Sequence, residues 1–343
     1  MIVFVSIAAF AAVFGATIFA LGRLVPWLSA RRILDVPNER SSHTAATPRG
    51  GGLAPVAVIA LAGVGGALLA GQTWLLVFAV AATGLSVLFF NDDRHSLGIG
   101  VRLGAQALGV VSAYVLVIPS WPDVLGHRLP SMLLALLLLV GWLWFINLFN
   151  FMDGIDGISG VETITIGLGS SLVAFVAAGG TPAALQVPIM IAGACLAGAG
   201  AGFLTANWSP ARVFLGDAGS IPLGFLCGAL LIALAASGQL AAALIIPAYY
   251  IVDATVTLFR RLMRGERIWQ AHRSHAYQLA NQAGLSHAEI CWRIILCNAL
   301  LLACALLSIW YPITGLVVGY LTAFAVYALL ARGWGLGSMN MEQ

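Results

Sequence analysis

The sequence has 343 residues, of which 61% are hydrophobic and only 8% are charged, and its mean hydropathy is +0.98. A soluble domain carries about 25% charged residues, so this composition excludes a soluble globular protein and indicates a chain that crosses a membrane repeatedly. The formal net charge is +3 and all 16 basic residues are arginine, which excludes chemistry that needs a lysine nucleophile.

Apolar runs that are long enough to cross a bilayer recur along the whole chain, since a spanning helix needs ~17 to 25 residues. They lie at about 1–22, 51–71, 74–90, 101–118, 131–149, 158–178, 185–206, 220–236, 239–258, 289–308 and 311–331. The sequence therefore predicts an all-α, polytopic membrane bundle of about eleven helices, organised as a single transmembrane domain over residues 1–343.

The distribution of arginine predicts how these helices are oriented. A cleaved signal peptide would carry basic residues before its apolar run, and the first run here has none. We therefore expect this run to be retained as a span, with its N-terminus in the periplasm. All arginines except Arg128 then lie in or beside loops on one side, which the positive-inside rule assigns to the cytoplasm together with the C-terminus. The net charge follows from this asymmetry, and we expect no nucleic-acid partner.

Five aspartates lie at the edges of apolar runs on the predicted cytoplasmic side. Asp92 and Asp93 follow the third run, Asp153 and Asp156 follow the fifth, and Asp217 precedes the eighth. Carboxylates this close to hydrocarbon are costly unless they pair, bind a metal or take part in chemistry. The adjacent pair suits a general base or a cation ligand, and a solvated helix end is the alternative.

A polar stripe follows the fifth run in the sequence NLFNFMDGIDG. Its members recur every three residues and are Asn147, Asn150, Asp153 and Asp156. On a continued helix they would share one side, and the following glycines favour an opening into a ligand-contacting loop. Their oxygen atoms and amide donors suit a hard cation together with a polar ring, whereas helix capping needs only one such residue.

The segment FLGDAGS places Asp217 between two glycines, directly before an apolar helix whose first amides favour phosphate. Together with the polar stripe, it offers the one or two protein oxygens that Mg²⁺ usually takes, with phosphates and water completing the coordination. The segment therefore indicates a magnesium–phosphate site.

Two polar loops add candidate contacts to anionic groups. His272, Arg273 and His275 form a compact phosphate clamp, for which an H-x-x-H zinc site is the weaker alternative. In the loop at 37–52, His43 and Arg49 are candidate contacts to a head group, although a plain connector is an equal alternative. Arginines that anchor the bundle to anionic membrane lipid follow the ninth run, at Arg260, Arg261, Arg264 and Arg267.

In this order, the motifs resemble those of the polyprenyl-phosphate N-acetylhexosamine-1-phosphate transferases. The match covers nearly the whole chain, from PRGGG through NDDR, NxxNxxDGxDG and FLGDAGS to the His-rich loop. The resemblance implies transfer of a sugar 1-phosphate from a UDP-activated N-acetylamino sugar to undecaprenyl phosphate, with release of UMP. It also implies a bacterial inner membrane location with a cytoplasmic active site, and it leaves a homodimer open.

The resemblance implies roles for the acidic motif residues. Asn150 and Asp217 match the Mg²⁺ ligands, with Mn²⁺ as a substitute, and Asp156 matches a uracil contact. Asp92 and Asp93 match the acidic pair that activates or holds the lipid phosphate. Asp153 is the least defined of the set and is expected to orient Asn150 or a metal-bound water.

The basic motif residues match positions that bind the diphosphate and the sugar. Arg102 matches a residue that grips the diphosphate, and His272, Arg273 and His275 match a loop that closes over diphosphate and sugar. We expect the lipid phosphate to attack in one step, with a covalent aspartyl intermediate as the alternative.

The His-Arg-Ser-His loop departs from the three consecutive histidines of the peptidoglycan enzyme. It resembles the branch that initiates O-antigen and related surface glycans, whose donors carry N-acetylfucosamine, N-acetylquinovosamine or N-acetylglucosamine. A cation-coupled transporter is the alternative from another functional class. The acids lie at one surface, however, and no pair of interrupted helices repeats in two halves, as many transporters show.

Overall fold

The computed structural model describes residues 1–36, 46–72, 74–95, 97–118, 131–179, 185–267 and 272–332. Within these ranges the chain is almost entirely helical. The helices are α1 (Ile2–Ala30), α2 (Leu53–Ala70), α3 (Trp74–His95), α4 (Ile99–Leu116), α5 (Ser131–Met152), α6 (Ile158–Ala177), α7 (Gln186–Asn207), α8 (Asp217–Leu234), α9 (Leu240–Ile245), α10 (Ala248–Met263), α11 (Ala276–Gln282), α12 (His287–Leu307) and α13 (Pro312–Ala331). Two short antiparallel strands, β1 (Leu34–Asp35) and β2 (Thr47–Pro48), are the other regular elements.

The described ranges contain 9 helical runs that are long and apolar enough to cross a membrane. One of them, Asp217–Ile245, joins α8 and α9 through a π-helical segment at Ala235–Gln239. Helix α10 and the apolar part of α2, Leu53–Leu69, are shorter. The predicted all-α, polytopic membrane bundle is thus confirmed. The number of eleven spans and their orientation stay predictions.

Helix α8 is the central helix of the bundle, and 94% of an apolar 18-residue stretch of the run Asp217–Ile245 is buried inside the protein. Its glycines let α5 approach closely, since a Cβ at Gly228 would lie 2.6 Å from the Trp142 ring. That ring stacks on Phe225 with centroids 5.0 Å apart, and its Nε1 donates to the Phe225 carbonyl at 2.9 Å. These contacts pack the middle of α8 against the middle of α5.

The ninth predicted span, at 239–258, is divided into two helices. Gly238 adopts a left-handed conformation with φ +92° between α8 and α9, and Pro247 lies between α9 and α10. Proline has no amide hydrogen to donate and so interrupts the helical ladder. Helix α10 returns toward the end of the bundle where α8 begins. Two contacts show this: Asp253 of α10 accepts from the Ala276 amide, and the neighbouring Tyr277 hydroxyl donates to the Phe151 carbonyl at the end of α5.

The segment that follows β2 lies against the residues that precede α8. The Phe214 amide donates to the Pro48 carbonyl at 2.8 Å, and the Gly51 amide donates back to the Phe214 carbonyl at 2.9 Å. Gly52 packs so tightly on Gly219 that a Cβ there would overlap the backbone. Arg49 is therefore held beside the first turn of α8.

Candidate active site

Polar ends of four helices meet at one end of the bundle. Asp92 and Asp93 lie in the last turns of α3, which extends to His95, beyond the predicted span. Arg102 lies in the first turn of α4, Asn150 in the last turn of α5, and Asp217 is the first residue of α8. With Arg49 they form what we call the Asp217 cluster.

Arg102 bridges two of the carboxylates. Its Nη2 lies 2.7 Å from Oδ2 of Asp217, and its Nε lies 3.3 Å from Oδ2 of Asp92. Asp92 is 6% exposed and also accepts a hydrogen bond from the Leu97 amide, so the turn between α3 and α4 orients it. The guanidinium therefore has fixed partners on both sides.

Arg49 makes a second bridge in the cluster. Its Nη2 lies 2.7 Å from Oδ1 of Asp93 and 3.5 Å from Oδ1 of Asp217. Burial alone would lower the pKa of Arg49, but these two carboxylates raise it above its ordinary value. Gly216 makes room for Asp93, since a Cβ there would lie 2.8 Å from Oδ2. The arginine remains charged and its carboxylate partners lie close to the amides that begin α8.

The two asparagines of the polar stripe have different partners. Asn150 donates from Nδ2 to Oδ1 of Asp217 at 3.0 Å and to Oγ of Ser220 at 2.8 Å. Asn147, one turn earlier, donates to Oε1 of Gln106 on α4 at 2.8 Å and to the Leu143 carbonyl. Asn150 thus belongs to the Asp217 cluster, whereas Asn147 joins α5 to α4.

The donor set of this cluster fits a magnesium ion that completes its coordination with substrate. No group of three or more His, Cys, Asp or Glu side chains in the described part of the chain could form an all-protein metal site. Mg²⁺ usually binds through one or two carboxylates plus phosphates and water. Asp217 and the side-chain oxygen of the adjacent Asn150 provide a ligand set of this kind.

The polar stripe divides after α5 ends at Met152. Asp153 accepts a hydrogen bond from Oγ of Ser159 at 2.8 Å and lies within electrostatic range of Asp217, Asp93 and Arg49. Burial raises the pKa of Asp153 to about 7, although the Ser159 hydrogen bond acts in the opposite direction. Asp153 therefore borders the Asp217 cluster.

Asp156 faces α12 and the end of α7. His287 Nδ1 lies 3.2 Å from Oδ2 of Asp156, and the Ala211 amide donates to the same oxygen at 3.1 Å. Burial alone would raise the pKa of this carboxyl group, but His287 and the amide hold it below its ordinary value. The adjacent Gly157 amide donates to Oδ1 of Asn207 at 2.9 Å. The stripe therefore separates into two sites.

The His-rich loop is anchored by a buried aspartate, Asp253 of α10. It is 0% exposed and accepts hydrogen bonds from the amides of Ala276 and Tyr277 at 2.9 and 3.3 Å and from the Tyr249 hydroxyl at 3.0 Å. His275 Nδ1 lies 3.3 Å from its Oδ1. The amides that begin α11 thus compensate the charge of Asp253.

The loop also contacts the turn between α5 and α6. The Tyr277 hydroxyl donates to the Phe151 carbonyl at 3.1 Å, and a methyl group at Gly154 would overlap it. The rings of His272 and His275 are 4.8 Å apart, and Arg273 lies between them in the sequence. The loop therefore flanks the turn that carries Asp153 and Asp156.

Sequence reasoning missed three of the residues that shape this region. Asp253 and Glu162 are acids inside apolar runs, and that signal alone would have been sufficient to identify them. His287, which pairs with Asp156, begins α12 and carries no comparable signal. His43, predicted as a head-group contact, lies outside the described residues.

Comparison with known proteins identifies relatives over most of this chain. The family model for glycosyl transferase family 4 matches residues 74–235, which run from the start of α3 to the end of α8. A probable undecaprenyl-phosphate N-acetylglucosaminyl 1-phosphate transferase of Bacillus subtilis (strain 168) is 30% identical over 265 residues, 74% of this chain and 71% of that protein. A phospho-N-acetylmuramoyl-pentapeptide-transferase of Hydrogenobaculum sp. (strain Y04AAS1) is 27% identical over 259 residues, 67% of this chain and 70% of that protein.

Proposed function

Since this chain belongs to glycosyl transferase family 4, we propose that it transfers an N-acetylamino-sugar 1-phosphate from a UDP-sugar to undecaprenyl phosphate. The observation that carries the proposal is the Asp217 cluster. Three carboxylates, two arginines and an asparagine converge at one end of a membrane bundle. A water-soluble donor and a membrane-embedded acceptor would meet at such an end.

The reaction joins two anionic phosphates, so the site must offset their repulsion. A phosphate oxygen of the lipid attacks the phosphorus nearest the sugar, the bond from that phosphorus to the bridging oxygen breaks, and UMP leaves. Arg49 and Arg102 supply the positive charge that such a transition state requires. Both guanidiniums are oriented by carboxylates, so little reorganisation is needed when phosphate oxygens bind beside them.

We assign the acidic residues of the cluster to different tasks. Asn150 and Asp217 would hold Mg²⁺, or Mn²⁺ in its place, which when bound neutralises the diphosphate and polarises its phosphorus. Asp92 and Asp93 orient the arginines and keep the lipid phosphate deprotonated or correctly placed. The lipid phosphate attacks directly, without a covalent aspartyl intermediate.

The two sites beside the cluster would bind the rest of the donor. Asp156 remains charged beside the backbone of Ala211, so its carboxylate can accept from the imide nitrogen of uracil. His272, Arg273 and His275 flank the same turn and would contact diphosphate and sugar. We infer a donor carrying N-acetylglucosamine, N-acetylfucosamine or N-acetylquinovosamine and a role in O-antigen or related envelope glycans. The site would face the cytoplasm from a bacterial inner membrane.

A reconstituted assay tests the proposal. Purified protein in detergent is mixed with undecaprenyl phosphate, MgCl₂ and each of the three UDP-amino sugars in turn, and released UMP is quantified. We expect UMP with at least one donor, only when lipid phosphate is present, and loss of release on chelation. Folded protein that releases no UMP with any donor would contradict the proposal.

A further inference from the structure

His287 is a buried residue to which the proposed reaction assigns no task. It is the first residue of α12. Its ring nitrogen Nδ1 lies 3.2 Å from Oδ2 of Asp156 and 3.3 Å from the backbone nitrogen of the same residue. One atom of His287 therefore faces both the carboxylate and the backbone amide of Asp156.

The imidazole of His287 has a partner on Asp156 in either tautomer. A ring with its hydrogen on Nδ1 donates to Oδ2, and a ring with its hydrogen on Nε2 accepts from the Asp156 amide. The charged carboxylate favours the first arrangement, because two lone pairs would otherwise face each other. His287 therefore acts chiefly on the carboxylate.

The first turn of α12 fixes the place of this ring. Ser286 caps the helix, since its Oγ accepts from the Glu289 amide at 3.3 Å and the Glu289 carboxylate accepts from the Ser286 amide at 2.9 Å. One turn after His287, the Cys291 thiol donates to the Asp156 carbonyl at 3.2 Å. One face of this capped turn thus contacts the side chain, the amide and the carbonyl of Asp156.

The contacts to the carboxylate of Asp156 restrain one of its two oxygens. Oδ2 lies beside Nδ1 of His287 and also accepts from the Ala211 amide at 3.1 Å. Neither of these contacts involves Oδ1. Because Oδ2 is held from α12 and from the loop that follows α7, the direction in which Oδ1 points is restricted.

A carboxylate of fixed direction can distinguish uracil from cytosine. A carboxylate only accepts hydrogen bonds. The ring nitrogen N3 of uracil carries hydrogen and donates, whereas N3 of cytosine carries a lone pair and the nearest donor is the neighbouring amino group. A mobile carboxylate would shift to that amino group, but a restrained one is left facing the lone pair.

We propose that His287 is a positioning residue for nucleotide recognition, which restrains Asp156 so that the site selects a uracil nucleotide over a cytosine nucleotide. The inference rests on the proposed function, in which Asp156 contacts the base of the donor.

Three variants separate the presence of a polar group at this position from its placement. The amide of His287→Asn can lie where Nδ1 lies, the longer side chain of His287→Gln carries its amide past that point, and His287→Ala has no amide. We expect His287→Ala and His287→Gln to raise the KM for the UDP-sugar about tenfold, the effect of one lost hydrogen bond, with kcat within about twofold of wild type. His287→Asn should keep both constants within about threefold of wild type, a rescue that a merely space-filling role does not predict.

Arg293→Gln is the matched control in the same helix. It alters a contact within α12, in which Nη1 of Arg293 donates to the Glu289 carbonyl at 2.9 Å. Both kinetic constants should remain those of the wild type, which separates the effect of His287 from a general disturbance of this turn.

Nucleotide binding tests the selectivity without turnover. The dissociation constants of UMP and CMP are measured by calorimetry for each purified protein, with MgCl₂ and without lipid phosphate. We expect the wild type to bind UMP more tightly than CMP by a factor of at least ~20. This factor should fall about tenfold in His287→Ala and His287→Gln and should be retained in His287→Asn and Arg293→Gln.

An unchanged factor in both His287→Ala and His287→Gln would overturn the inference, as would a wild type that does not prefer UMP or a kinetic loss confined to kcat. If His287→Ala does not fold, His287→Gln and His287→Asn still decide. A wild type that prefers UMP but releases none from any donor would refute the transferase proposal, while a lower factor in the variants would still support the role of His287.

Discussion

Arg102 and Asp217 are 115 positions apart in the sequence, yet Nη2 of the arginine lies 2.7 Å from Oδ2 of the aspartate. The contact joins the first turn of α4 to the first residue of α8. The arginine also reaches Asp92 of α3 through Nε, so one guanidinium links three helices. The relative positions of the residues in the Asp217 cluster thus depend on how the helices pack against one another.

Replacing Asp217 by Asn should remove most of the turnover. The change keeps the size of the side chain but deletes the charge that Arg49 and Arg102 contact and that a cation would need. We expect kcat to fall by about 10² to 10³, the usual effect of losing one electrostatic group at a reacting centre. UMP release measures the effect. Glu266→Gln, which alters an ion pair at the end of α10, is the matched control and should leave kcat unchanged. An Asp217→Asn protein with wild-type kcat would refute the assignment.

Replacing Arg102 by Lys should be harmful although the charge is kept. A lysine ammonium cannot contact Asp92 and Asp217 from two nitrogens at once, as the guanidinium does. We expect kcat/KM for the UDP-sugar to fall at least tenfold in Arg102→Lys and further in Arg102→Gln. Arg31→Gln, an exposed arginine that rests on Trp27 at the end of α1, provides the control. Equal activities of wild type and Arg102→Lys would show that the two-point contact is dispensable.

Asp153 should make the stability of the protein depend on pH. Its pKa rises from 3.8 to about 7 because the folded protein buries it, so the native state binds its proton more tightly than the unfolded state does. The stability it contributes is therefore present at low pH and is lost as the pH rises between these values. Without divalent cations, the melting temperature of the wild type in detergent should therefore drop by a few degrees relative to that of Asp153→Asn between about pH 4 and about pH 7. Parallel curves for the two proteins would contradict the prediction.

Gly154 should be intolerant of a side chain because Tyr277 occupies the space. A methyl group at Gly154 would overlap the tyrosine hydroxyl and displace the His-rich loop from the α5–α6 turn. We expect Gly154→Ala to raise the KM for the UDP-sugar several-fold. Tyr277→Phe removes the obstructing oxygen, so the double variant should recover part of the loss, which steady-state kinetics would detect. No recovery would indicate that the glycine matters for another reason.

The helical bundle was predictable because it follows from composition and from the length of the apolar runs. The same signal places Asp92, Asp93 and Asp217 at helix ends, and the structure has them there. The interruption at Pro247 was missed, since a run of apolar residues does not show where a helix breaks within it. Local sequence was sufficient for the elements that carry the candidate site.

Pairing between distant side chains was not predictable. No pattern in the sequence says that Arg49 contacts Asp93 or that His287 contacts Asp156, because those pairs are created by packing of helices far apart in the chain. The separation of Asp153 from Asp156 also depends on where α5 ends. Asp253 and Glu162 were overlooked although an acid within an apolar run is a signal in itself.

The central claim is that a sugar 1-phosphate, and not the sugar alone, moves to the lipid. A UDP-amino sugar labelled with ³²P at the phosphorus nearest the sugar distinguishes the two reactions in a single incubation with undecaprenyl phosphate and Mg²⁺. We predict that the label enters the lipid fraction in step with UMP release and that Asp217→Asn abolishes both. Label retained in water-soluble UDP, with an unlabelled sugar on the lipid, would contradict the account.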